Sequence, residues 1–461
     1  MSEGALQLWF ESALLPGGWS RRVRITGQDG VIISVEPDVD PAEGDERHAV
    51  GVPGLPNVHS HAFQRAIAGL TERRGPGEDS FWTWRELMYR FVERIDPDQL
   101  QAVTALAFAE MLEAGFTRVG EFHYLHQDKL GVPFADPGEL AGRVAAAAAE
   151  TGIALTLLPA FYAHGGFGVN GPSERQRRFA TDLERFARIV ESSRKSVREL
   201  PDGAWGVAPH SLRAVTPQEL PAVVSLASGG PVHIHIAEQV GEVEDCVAWC
   251  GRRPIELLFE TVAVDGKWCL VHATHATQSE LERVAAAGTV IGLCPVTEAS
   301  LGDGVFPALE FQGRGGRLGI GSDSNVLIDA GAELRALEYS QRLTRRARNV
   351  LAGGSGHSTG RRLFDAALAA GAQALGSPAA GTSPVGLAAH APLDLVSLDA
   401  AHPALIERRE DEILDSWIFA AGREAIDCVW RAGEKVVSEG RHRGRDAIVV
   451  RYRRAMKTLL A

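Results

Sequence analysis

The chain has 461 residues, 45% of them hydrophobic and 23% charged, with a formal net charge of −12. That composition describes a globular protein with ample material for a core. The negative balance and the lack of a basic block argue against nucleic acid or an anionic membrane as partner.

Taken in chain order, the N-terminus lacks a charged and then apolar leader, and no apolar run reaches the ~18 residues of a membrane span. A cytoplasmic protein is expected. Residues 1–52 read as β. The runs Leu6 to Phe10, Arg21 to Ile25 and Gly30 to Val35 are split by Pro-Gly-Gly and Gly-Gln-Asp-Gly turns. From residue 53 the pattern becomes strand–helix alternation. Candidate strands are 55–61, 116–123, 153–162, 205–210, 231–237, 267–273, 289–294 and 317–322. Helical stretches between them include Asp98 to Ala114, Pro137 to Thr151, Gln176 to Glu199 and Ser279 to Ala287. Eight such units predict an α/β protein with a (β/α)8 TIM-type barrel over 53–378, its active site at the C-terminal strand ends. A doubly wound open sheet is the alternative, but it would scatter those ends along an edge.

Two connections are long. Residues 62–97 hold Phe81-Trp-Thr-Trp84-Arg85, and residues 163–175 are Gly-rich. Loops of this length are often functional, and these two could cover a small substrate. Residues 334–375 read as helical and Ala-rich. Beyond Gly376 the chain turns Pro- and Gly-rich, then returns to β at Asp394 to Leu398 and Cys428 to Val437. Residues 379–461 are expected to complete the sheet begun by 1–52, giving a small β-sandwich domain built from both chain ends. Cys246, Cys250, Cys269, Cys294 and Cys428 form no Cys-x-x-Cys pair and are odd in number. They read as buried small hydrophobes rather than a disulfide framework.

The candidate strand ends carry the chemistry. His59 and His61 are two apart, so in a strand both point to one side and can reach one point in space. His235 ends another strand, with Glu238 three residues on. His272 and Asp323 end two more. Three imidazoles and a carboxylate make a plausible ligand set for a catalytic divalent metal with room for water. His235 is taken as the ligand rather than His233, because it closes the strand and shares the barrel mouth with Glu238, and His233 reads as a packed histidine. A second metal needs a bridging group. The lone lysine between Lys129 and Lys267 is Lys195, in the polar run Ser192 to Ser196. It reads as a solvated residue, so one metal per chain is expected. Glu238 and His272 are the candidate acid–base groups beside it.

This order of His-x-His, His-x-x-Glu, His and Ser-Asp resembles the amidohydrolase superfamily in its mononuclear deaminase branch. The run Leu55-Pro-Asn-Val-His-Ser-His-Ala-Phe-Gln-Arg65, then Asp79-Ser-Phe-Trp-Thr-Trp-Arg-Glu-Leu-Met-Tyr89, is similar to the formimidoylglutamate deiminases of bacterial histidine degradation. So are Glu121-Phe-His-Tyr124, Pro209-His-Ser-Leu-Arg213 and His233-Ile-His-Ile-Ala-Glu-Gln239. The resemblance implies zinc on His59, His61, His235 and Asp323, with Glu238, His272 and Asp323 as the catalytic groups. It implies substrate contacts from Gln64, Arg85, Tyr124, His210 and Arg213, and a homodimer. The implied reaction is hydrolysis of N-formimino-L-glutamate to N-formyl-L-glutamate and ammonia. Elementary chemistry supports the arginines, because a dicarboxylate needs local cations and guanidinium forks match carboxylates. A sister deaminase acting on a purine or adenosine-type ring amidine is the alternative. A neutral ring needs no such pair of arginines. The intact ligand set weighs against a third reading, a catalytically dead scaffold.

Overall fold

The computed structural model describes residues 5–376 and 385–461, so the domain boundary expected at 378/379 lies outside the described residues. The eight expected barrel strands are all present. They span Leu55–Ser60, Phe116–His123, Ala154–Phe161, Ala204–Trp205 with Ala208–Pro209, Val232–Ile236, Trp268–His272, Val290–Leu293 and Arg317–Ile320. They pair in parallel as two ladders, and bridges at Ser60 to Asp323 and at Val207 to Val232 close the barrel. The strands are buried almost throughout, as expected where helices cover a parallel sheet. The fourth strand breaks at Gly206. A Cβ there would lie 2.1 Å from the Pro231 carbonyl oxygen, so only glycine lets the two strands approach.

The chain ends share one eight-stranded sheet. Its hydrogen-bonded order is Arg441–His442, Glu434–Ser438, Ile426–Arg431, Leu395–Leu398, Glu46–Pro53, Leu6–Leu15, Gly18–Gln28 and Val31–Glu36. The last strand folds back on the approach to Leu395. Ile32 N–H donates to the Ala391 carbonyl and Leu393 N–H to that of Gly30, both at 2.9 Å. Leu8, Phe10, Val23, Ile25, Leu393, Leu395 and Trp430 fill the space so enclosed. The first hairpin is longer than the apolar runs suggest, because Glu11 and Ser12 interrupt the pattern while pairing continues to Leu15.

Three stretches depart from expectation. The connection 62–97 is not irregular throughout. It contains a 3-10 turn at Ala62–Ile67 and a helix at Phe81–Val92, whose N-terminus Ser80 and Thr83 cap reciprocally. The stretch 176–199 is a 3-10 turn at Glu174–Gln176 and then a helix only from Leu183, where the Asp182 side chain caps the first turn. The stretch 334–375 is two helices, Ala330–Arg345 and Thr359–Ala374. The break follows Arg346, which is left-handed at φ 53°, and buried Glu338 holds the turn by accepting from the Val350 and Leu351 amides. The chain also ends in a helix, Arg445–Leu459, tied to the barrel helix Pro97–Glu113 through Arg445 with Glu110 and Glu113. No helix among the described residues is long and apolar enough to cross a membrane.

Candidate active site

Three of the functional strands end in backbone that L-residues rarely adopt. Ala237, His272 and Asp323 have φ of 50°, 68° and 42°. Each left-handed residue costs roughly 1–2 kcal/mol, so the surroundings must hold it. Glu242 does so after the fifth strand. Its carboxylate accepts from the amides of Ala237 (3.1 Å) and Glu238 (3.0 Å), turning Glu238 into the barrel mouth. Glu298 acts after the seventh strand, accepting from the Cys294 amide (2.9 Å) and from His272 Nδ1 (3.1 Å).

The Nε2 atoms of His59, His61 and His235 converge, with separations of 3.2, 3.3 and 3.0 Å. Nitrogens around a tetrahedral zinc at roughly 2.0–2.1 Å would stand roughly 3.3 Å apart. The Asp323 carboxylate is 3.6 Å from His59 and 3.5 Å from His61. His61 Nδ1 donates to the Phe122 carbonyl (2.8 Å) and His235 Nδ1 to that of His210 (3.0 Å). Those bonds fix the tautomer and leave two Nε2 lone pairs facing the centre, as in metal sites whose outer partners orient the imidazoles. Burial holds the pKa of all three histidines below the usual range. A cluster of neutral, inward-facing nitrogens beside a carboxylate fits one divalent cation. His233 stands apart, its Nε2 donating to the Ala374 carbonyl at 2.8 Å, and Lys195 is exposed on its helix.

His272 Nε2 lies 3.7 Å from Asp323 and 3.9 Å from Glu238. Burial disfavours its charge, but Glu238, the bond to Glu298 and Asp323 outweigh that and raise its pKa to about 10. Burial raises the pKa of Glu238, against the pull of His272 and Arg213. Cys294 lies close to His272 and Asp323, but burial keeps its thiol protonated.

A cavity of about 230 Å³ opens above this cluster, and every expected substrate contact lines it: Gln64, Arg85, Tyr124, His210 and Arg213. Gln64 donates to the Tyr124 hydroxyl at 2.9 Å, while its own amide oxygen is buried without a partner. Burial and Arg213 push the His210 pKa well below the usual histidine range. Arg85 and Arg213 form no ion pair among the described residues, and the Nε of each is buried without a hydrogen-bond partner. Trp82 is near both, its ring centroid 4.5 Å from the Arg85 guanidinium carbon and 5.7 Å from that of Arg213.

The sequence motifs include Trp82 and Glu121 without a role for either, and they do not include Glu242 or Glu298. The spacing Glu238-x-x-x-Glu242, with a helix starting between them, was the available signal for Glu242. Glu121 accepts from the Ala62 amide at 2.7 Å, behind His61, and burial raises its pKa to about 8. Nothing local to Glu121 or Glu298 announces those contacts.

Comparison with known proteins places this geometry. The amidohydrolase family model matches residues 50–436, and the model "Formimidoylglutamate deiminase HutF, N-terminal domain" matches residues 8–49. Formimidoylglutamate deiminase of Pseudomonas aeruginosa is 50% identical over 442 residues, covering 95% of this chain and 96% of that one. A 5-methylthioadenosine/S-adenosylhomocysteine deaminase of Natronomonas pharaonis is 30% identical over 78% of this chain and 75% of its own. The crystal structure of an amidohydrolase from Brucella melitensis superimposes with a TM-score of 0.95 at 53% identity, covering 99% of this chain and 100% of that one. The chain belongs to the amidohydrolase family, and within it stands with the formimidoylglutamate deiminases.

Proposed function

We infer that the chain hydrolyses N-formimino-L-glutamate to N-formyl-L-glutamate and ammonia, a step of histidine degradation. The observation that carries this reading is the pair of ion-pair-free guanidiniums, Arg85 and Arg213, sharing one cavity with the three converging histidines. A dicarboxylate supplies the missing anions, and its formimino group then points down toward His59, His61 and His235. A purine-type ring would leave both guanidiniums without an ion-pair partner.

The donor set of three imidazoles and one carboxylate suits zinc, with His59, His61, His235 and Asp323 as the ligands and one ion per chain. Bound there, the metal supplies a water acidic enough to lose its proton near neutral pH. The residues do the rest. Arg85 and Arg213 hold the carboxylates, with Gln64, Tyr124 and His210 fixing the chain between them and the reacting carbon. Asp323 receives the proton of the attacking water, which adds to the formimino carbon, and the protonated His272 beside it steadies the added oxygen. The tetrahedral carbon then bears two nitrogens and one oxygen. Glu238, buried and shifted toward its protonated form, delivers a proton to the terminal nitrogen, so ammonia leaves and the formyl group stays on glutamate. A cytoplasmic homodimer belongs to the same proposal, as do a barrel over 53–378 and a small domain from 1–52 and 379–461.

The test is product analysis. Zinc-loaded protein incubated with N-formimino-L-glutamate should give N-formyl-L-glutamate and ammonia by NMR. Formamide plus glutamate would overturn the direction of cleavage. Turnover of an adenosine-type substrate in place of formiminoglutamate would overturn the substrate.

A further inference from the structure

The barrel seam between its first and last strands brings two of the proposed ligands, His59 and His61, against a third, Asp323. Little backbone bonding spans it there: His61 N–H donates to the Asp323 carbonyl and Asp323 N–H to that of His59, both at 2.9 Å. A ring of side chains spans the same seam. Asn57 Nδ2 donates to Ser322 Oγ at 2.6 Å, and the Ser322 amide donates back to Asn57 Oδ1 at 3.1 Å. Ser322 Oγ in turn donates to Asn325 Oδ1 at 2.7 Å. Asn325 Nδ2 then donates to Ser60 Oγ at 3.1 Å and to the Asp323 carbonyl at 3.0 Å. Asn57 Oδ1 also accepts from the His59 amide at 3.3 Å.

All four residues are buried, so each polar atom of the ring that loses its partner is stranded away from water. The ring's bonds end on peptide groups that belong to the ligands themselves, the amide of His59 and the carbonyl of Asp323. Asp323 and Asn325 are both left-handed, at φ 42° and 56°, and Asn325 is a residue type that tolerates this while its side chain bonds locally. The first and last strands also touch closely here. A Cβ on Gly321 would lie 2.7 Å from the His59 carbonyl oxygen, so a slip of either strand has no room to be absorbed quietly.

We propose that Asn57, Ser322 and Asn325 are positioning residues whose buried ring sets the register of His59 and His61 against Asp323, and thereby the affinity of the site for its metal. The proposal rests on the reading of those three residues as ligands. Ser322 is the hub, since its hydroxyl both accepts and donates within the ring. Losing that hydroxyl strands Asn57 Nδ2 and Asn325 Oδ1 together and frees the turn that aims Asp323.

The experiment measures zinc affinity by chelator competition, alongside kcat, KM and the thermal midpoint of the metal-free protein. Outer partners of ligands are typically worth about 10–100-fold in metal affinity, and that loss is expected for Ser322→Ala, with kcat falling and KM held within about twofold. Ser322→Thr, which keeps the hydroxyl, should restore affinity to within about threefold of the parent. Asn325→Gly tolerates the left-handed backbone without the side chain, and it should weaken zinc as Ser322→Ala does. It carries the same test should Ser322→Ala fail to fold. A lower thermal midpoint with unchanged zinc affinity in both variants would make the ring merely structural and overturn the proposal. Zinc competition involves no substrate, so an error in the substrate reading would appear as absent turnover with this affinity pattern intact.

Discussion

The floor and the roof of the cavity are built differently. The floor is His59, His61, His235 and Asp323, all buried at barrel strand ends, with His61 and His235 oriented by backbone carbonyls. The roof is the helix Phe81–Val92, which carries Arg85 and a Trp82 that is 40% exposed. Glu86 of this helix pairs with Arg175 in the Gly-rich connection, and both side chains are about half exposed, so that pair contributes little. The proposed ligands therefore sit on barrel strand ends, whereas Arg85 stands on a helix inserted after the first strand, packed inward through Met88, Tyr89, Phe91 and Val92 and open to solvent on the face of Trp82.

The division is broken most severely from the floor. His59→Ala with His61→Ala should abolish metal binding and take turnover to background. Metal analysis of the purified double variant checks this, and an undiminished equivalent would remove both residues from the ligand set. Next comes Glu238→Gln, expected to keep its metal and lose roughly 10²–10⁴-fold in kcat. Single-turnover kinetics with metal analysis decide it, and near-normal turnover would take Glu238 out of proton delivery.

Floor and roof also differ in how far the sequence discloses them. His59-x-His61 is visible because a strand repeats every two residues, and an apolar run announces the strand. His235, His272 and Asp323 are visible for the same reason, each closing a short apolar run. Helix Phe81–Val92 is harder to see, because a Gly- and Pro-rich stretch precedes it and its exposed face carries Trp82 and Thr83. Its Ser80-x-x-Thr83 cap was the one local signal. The ring at the seam is invisible from sequence. Asn57 and Ser322 are 265 residues apart, and each reads alone as an ordinary polar residue beside a strand. The bonds of Glu298 to the Cys294 amide and to His272 are hidden likewise, whereas Glu242 is signalled only by its spacing from Glu238.

The predictions at the two arginines are smaller. Arg213→Met, in the turn after the fourth strand, removes the proposed charge-assisted partner of a substrate carboxylate and should cost ~2–5 kcal/mol in kcat/KM, with zinc affinity and thermal midpoint unchanged. A fall of less than about fivefold in kcat/KM would defeat the assignment. The same change made at Arg85 tests whether the two guanidiniums hold separate carboxylates. Equal losses with formimino compounds bearing one carboxylate would mean that they share one.

The smallest effect is expected at Trp82, and it is the most discriminating for the comparison. Its ring faces the Arg85 guanidinium at 4.5 Å and that of Arg213 at 5.7 Å, so it holds both cations without neutralising either. A carboxylate in that place would bind them more tightly but would compete with the substrate. An aromatic face orients them and leaves their charge for the ligand. Cation–π attraction is worth about 0.5–2 kcal/mol, so Trp82→Leu should raise KM by roughly 2–30-fold and leave kcat within about twofold. Trp82→Phe keeps a weaker aromatic face and should fall between the parent and the leucine variant. Unchanged KM in Trp82→Leu would show that the arginines are held by other contacts. A loss of kcat together with zinc affinity would show that roof and floor move as one body, and the separation between them would have to be given up.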